Sequence, residues 1–213
     1  MPFAAVLTVL LIPALRAAVP LPTLTSARAV HSLPYEEALR RYPVELRAVV
    51  TYYDPYIDER HAALFLCDES GGIFVSVPPR PILPLRPGMV IALRGVSGPG
   101  DYASIIEEPQ IRILYQSRLP SHAPRVSLSD MLTGAYDGQW VEVEGVVHSV
   151  REQGMNVYLD LALGDGIVSA TTVKEAGADY TKLVDAEIRM RASSAPTFTR
   201  HRQMTGVRLF FRH

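Results

Sequence analysis

The sequence predicts an all-β protein with short helices, arranged as tandem five-stranded barrels of the OB type. Three observations carry this. The stretch Val44–Val50 (VELRAVV) reappears as Val141–Val147 (VEVEGVV). After each copy come an apolar run, a Gly-Ile step (Gly72-Ile73, Gly166-Ile167) and a strand ending in Leu93-Arg94 or Met190-Arg191. Such a spacing is too long for a solenoid repeat and suits a duplicated small domain. Finally, each copy reads as five short strands with glycine at the bends, too few for a seven-stranded sandwich.

In chain order, residues 1–18 form an apolar run closed by Arg16 and Ala17-Ala18, which predicts a signal peptide or N-terminal anchor and hence export. Residues 19–30 hold Pro, Thr and Ser without periodicity and read as a tether. The first domain spans 31–115. Leu33 to Arg41 has a helical pattern with Pro34 in its first turn, ended by Tyr42-Pro43. Val44, Leu46, Ala48 and Val50 then alternate with Glu45 and Arg47, the period of two of a half-buried strand. Ala63 to Cys67 and Ile73 to Val77 are the next strands. Between them Asp68 to Gly72 forms a tight turn in which Asp68 bonds backbone amides. Pro78 to Pro87 holds five prolines and excludes a regular helix. Met89 to Arg94 and a run ending at Leu114 complete five strands.

Residues 116–125, polar and carrying two prolines, are the linker, and 126–213 the second domain. Its strands fall at 141–150, 156–162, 167–172, 186–192 and 203–211, with Gly145 where the first strand bends. Glu142 and Glu144 are expected on the outside, like Glu45. The capping-box sequence Thr172 to Glu175 predicts a helix between the third and fourth strands.

Composition bounds the function. The chain has 213 residues, 48% apolar and 20% charged, with net charge −1, so no overall basic field exists and nucleic acid is disfavoured as a partner. From Val44 to Tyr115 six arginines face nine carboxylates. The single cysteine, Cys67, excludes an intrachain disulfide and a cysteine-rich zinc site. The six histidines are scattered, and Asp54, Asp58 and Glu59 lack the glycine-turned loop of a calcium site. Gly95 to Gly100 lacks the Lys-Ser/Thr and helix of a phosphate loop. No metal site, no cofactor and no catalytic residue is therefore assigned, and the chain is expected not to be an enzyme. OB barrels bind ligands on the face of their second and third strands. That places Tyr52, Tyr53, Tyr56 and Arg60 as ligand-contact candidates, while Phe65 and Phe74 read as core. Trp140, at the start of the second barrel just after the linker, is expected to pack between domains.

The phrases Leu33-Pro-Tyr-Glu-Glu-Ala38, Asp68-Glu-Ser-Gly-Gly-Ile-Phe-Val75 and Gly95-Val-Ser-Gly-Pro-Gly100, followed by Asp137-Gly-Gln-Trp-Val-Glu-Val-Glu-Gly145, resemble the extracytoplasmic input region of bacterial two-component sensor histidine kinases. The resemblance implies a non-catalytic periplasmic sensing module, present here as a fragment without its kinase. It further implies an unknown ligand or protein partner and membrane association through the N-terminal segment or missing downstream sequence. The alternative is an OB-fold nucleic-acid-binding protein.

Overall fold

A computed structural model describes residues 20–199, 201 and 203–212. The predicted leader, 1–18, lies outside them. Among the described residues ten strands close into two barrels of identical topology. The first runs β1 (Pro43–Asp54), β2 (Ala62–Asp68), β3 (Gly71–Val77), β4 (Met89–Gly98) and β5 (Ile105–Gln116), joined side by side as β1-β2-β3-β5-β4. The second runs β6 (Trp140–Gln153), β7 (Asn156–Leu163), β8 (Gly166–Val173), β9 (Glu187–Phe198) and β10 (Met204–Phe210) in the same order. Only β3 with β5 and β8 with β10 pair in parallel among the named strands. This is the OB arrangement predicted from the repeat.

The long first strand of each barrel serves two neighbours, and a bulge divides its duties. The register shifts between Val50 and Tyr52 in β1 and between Val147 and Ser149 in β6. A bulge adds twist and bend, as closure of so small a barrel requires. Gly145 lies just ahead, where a Cβ would stand 2.6 Å from the Ala162 carbonyl oxygen. The alternating residues fall as expected, with Val44, Leu46, Val50, Val141, Val143 and Val147 inside. Glu45 is exposed and meets Arg94 of β4 at 2.8 Å. Glu142 and Glu144 are half-buried rather than exposed, because Arg191, Arg189 and Arg125 lie over them.

The tether does not exist as such. Leu24 pairs with β1, taking a hydrogen bond from Glu45 N (2.9 Å) and donating one to Pro43 O (2.7 Å). Ser26 caps a one-turn helix, α1 (Ala27–His31), whose Ala27 and Val30 are buried in the first core. Asp68, in the β2–β3 turn, accepts from Ala27 N at 2.8 Å through one oxygen and from Ser70 N and Gly71 N through the other. The second copy repeats all of this. Arg125 bridges Glu142, Ser127 caps α3 (Leu128–Leu132), and Asp165 accepts from Leu128 N and Ser129 N. The repeat unit thus begins at Leu24, and α1 is the counterpart of α3. The expected helix at 33–41 shrinks to α2 (Tyr35–Ala38). A helix of one turn spans too few residues for a 3.6 period to register, which is why the sequence hid α1. The Thr172–Glu175 capping box is not formed either, since Thr172 is a buried residue of β8. A short 3-10 helix, Tyr180–Leu183, capped by Asp179, fills that connection. Among the described residues no helix is long and apolar enough to cross a membrane.

Candidate functional site

The outer face of β1 and β2 in the first barrel is an interface. Leu64 and Leu66 point into the barrel, so Ala63 and Phe65 point out, and with Tyr52 they form an apolar cluster closed by Phe210 of β10. Phe210 lies 5.3 Å from the Tyr52 ring and 5.0 Å from the Phe65 ring, centroid to centroid. Phe65, read from the sequence as core, is buried between barrels instead.

A polar belt surrounds the rings. Thr51 Oγ1 and Ser193 Oγ are 2.8 Å apart, and Asn156 Nδ2 donates to Asp54 Oδ2. Asp54 also accepts from Tyr56 N (2.8 Å) and the Tyr52 hydroxyl (3.2 Å). Burial pushes the Asp54 carboxyl up, and these hydrogen bonds pull it only part of the way back. Burial, aided by the Asp54 charge, raises the Tyr52 hydroxyl well above its ordinary value. At one edge Gln139 clamps the backbone of Gly72, accepting from its N–H (2.9 Å) and donating to its carbonyl (3.2 Å). A Cβ on Gly72 would stand 2.0 Å from Gly138 O.

These contacts disperse the four ligand candidates. Tyr52 is wholly buried in the interface, whereas Tyr53 faces the first core, its hydroxyl accepting from Leu83 N at 3.0 Å. Consecutive strand residues point to opposite faces, so the two could not line one surface. Tyr56 and Arg60 lie exposed in the β1–β2 loop. Trp140 is buried, and its indole N–H donates to Pro120 O of the linker at 3.1 Å. Cys67 is half-buried, and burial with the Asp68 charge pushes its thiol up to about 11, which leaves it a poor nucleophile. Among the described residues no three His, Cys, Asp or Glu side chains gather to hold a metal ion.

The interface that covers this face of the first barrel leaves the matching face of the second open. Across β6, β7 and β8 its outward side chains form three rows: Arg151 and Tyr158, continued by Thr171, which is buried beside Phe210; Ser149, Asp160 and Ser169; Val146, Ala162 and Ile167. The Arg151 guanidinium lies over the Tyr158 ring, 5.3 Å from its centroid. Arg208 of β10 extends the middle row beside Ser169. The carboxylate of that row, Asp160, accepts from Ser149 at 2.7 Å. Val146 and Ile167 are 41% and 60% exposed, an apolar shoulder on a basic face. The β6–β7 turn, where Gly154 takes φ 58° and Met155 is exposed, closes one end of these strands; a second turn, β9–β10, is tied by Thr199 N to Gln203 O at 2.9 Å. The second turn carries Arg200, His201 and Arg202 in its sequence, of which Arg200 and Arg202 lie outside the described residues. With Arg208 and Arg212 they form a local basic cluster in the sequence, which the composition average conceals.

No family model matches the sequence, and no curated protein matches it. Solved structures that the fold resembles include a murine DNA-binding protein bound to double-stranded DNA, at 12% identity and TM-score 0.36, covering 78% of this chain and 92% of that one. The p202 HIN1 domain in complex with a 12-mer duplex matches at 11% identity and TM-score 0.38, covering 80% and 88%. A putative aspartyl-tRNA synthetase from Leishmania major Friedlin matches at 13% and 0.32 over 46% of this chain, which spans 21% of that protein's length. At these values the likeness carries no ligand and no activity over to this chain.

Two expectations are nevertheless corrected. The structures matched over most of the chain include DNA-bound proteins, against the reading of a periplasmic sensing module and against nucleic acid as a disfavoured partner. The physical reasons lie in the structure. A sensor that works by shifting its barrels needs a loose interface, and this one is a buried aromatic cluster ringed by hydrogen bonds. Net charge is moreover an average: Arg125, Arg189 and Arg191 pair with Glu142 and Glu144, whereas Arg151 and Arg208 stand on the β6–β7–β8 face.

Proposed function

We propose that the chain is a nucleic-acid-binding module that engages single strands on the β6–β7–β8 face of its second barrel. One observation carries this reading: the outer face of the first two strands, buried in the first barrel, is open in the second, and with β8 and β10 it bears Arg151, Tyr158 and Arg208. The chemistry is that of a stacking platform in a basic setting. Tyr158 with Arg151 offers a flat cation–π surface for a base, Val146 and Ile167 offer apolar contact, and Arg151 and Arg208 neutralise phosphates. Serines on the middle row supply hydrogen bonds without sequence preference.

The test is fluorescence anisotropy with a labelled single-stranded oligonucleotide at several salt concentrations. Arg151→Ala and Arg208→Ala should each weaken binding about tenfold and lower the salt slope by about one. Binding that neither substitution changes would overturn the reading.

A further inference from the structure

A second concavity is unrelated to that face. An open groove of about 580 Å³ runs between the first barrel and β9 of the second. Its floor is Phe65, Phe74 and Phe210, and its walls carry Tyr102 and Phe198, whose rings are nearly parallel (11°) with centroids 6.5 Å apart. Tyr102 stands in the β4–β5 turn, which only glycine permits at position 100. Gly100 has φ +55°, and a Cβ there would lie 2.2 Å from Ala103 O. That turn also brings Asp101 to the rim, where Glu107 and Asp137 join it.

The charges are one-sided. Three carboxylates and His61 line the groove, and among the described residues no lysine or arginine does. His31 holds Asp137 and Arg41 reaches Glu107 at 3.5 Å, while Asp101 is exposed and makes no ion pair among the described residues. Aromatic faces carry negative potential, and carboxylates at the rim deepen it, so the groove repels phosphate and attracts positive charge. Its volume and its place between domains are those of small-molecule sites.

We propose that this groove binds a small organic cation of the quaternary or alkylated ammonium class, held against Phe74, Tyr102 and Phe198 with Asp101 as counter-charge. The site is independent of the nucleic-acid face, and its test needs no nucleic acid. Choline and its neutral isostere dimethylbutanol are titrated into the full chain and followed by NMR. The cation should saturate with shifts at Tyr102 and Phe198 and bind about tenfold more tightly than the alcohol. Phe198 is 37% exposed, so Phe198→Ala should fold, as the same spectra verify, and lose most of the affinity. Asp101→Asn should narrow the gap between cation and alcohol, whereas Arg151→Ala should leave it unchanged. Equal binding of the two probes, absence of saturable shifts, or affinity indifferent to Phe198→Ala would each overturn the proposal.

Discussion

Asp54 of β1 and Asn156 of β7 stand 102 residues apart in the chain and meet as a buried hydrogen-bonded pair between the barrels. A carboxylate is costly to bury, and here three donors and the positive charge of Arg212 offset the cost. The pair marks the barrels as one packed unit rather than two beads on a linker.

That arrangement has a pH signature. The folded-state Asp54 carboxyl titrates above its ordinary value, so the native state holds this proton more tightly than the unfolded chain. Its contribution is fully favourable below the ordinary carboxylate value and is lost as pH rises through the raised one. Asp54→Asn removes the titration. Urea midpoints of wild type and variant should converge, or cross in the variant's favour, from acid to neutral pH. A difference independent of pH would contradict the assignment.

Phe210 joins the two barrels through Tyr52 and Phe65. Truncating a buried phenylalanine costs about 3–5 kcal/mol. At Phe210 the loss should fall on the interface and not on either core. Phe210→Ala should therefore split a single denaturation transition into two while each barrel keeps its circular dichroism. A uniformly lowered single transition would place Phe210 in the second core instead.

Gly72 tests the same interface from its backbone side. With the nearest obstacle a carbonyl oxygen of the second barrel at 2.0 Å, Gly72→Ala must push the barrels apart. Small-angle scattering should show a larger radius of gyration with folded barrels, and an unchanged radius would contradict the packing described.

The fold was legible because the repeat and the alternation are local signals. Val44, Leu46 and Val50 announce an inner face wherever the chain is read. The interface was half-legible. Ala62 to Leu66 and Leu209 to Phe211 are unbroken apolar runs, the mark of strands covered on both sides, yet nothing local says what covers them. That answer lies across separations such as Thr51 to Ser193, 142 residues. The ligand candidates failed for a related reason. Tyr52 and Tyr53 were grouped by residue type, although adjacent strand positions face opposite ways. Arg151 and Arg208 became neighbours of one face only through the β6–β7 and β8–β10 pairings, which no composition reveals.

The central claim is that the open face of the second barrel receives nucleic acid. Hydrogen exchange of the full chain with and without a single-stranded oligonucleotide tests it most directly. The account predicts added protection in β6 from Val146 to Arg151, in β7 around Tyr158 and in β8 from Ile167 to Ser169, with none in β2, β3 or β4. Protection confined to the first barrel, or no change at saturating oligonucleotide, would contradict it.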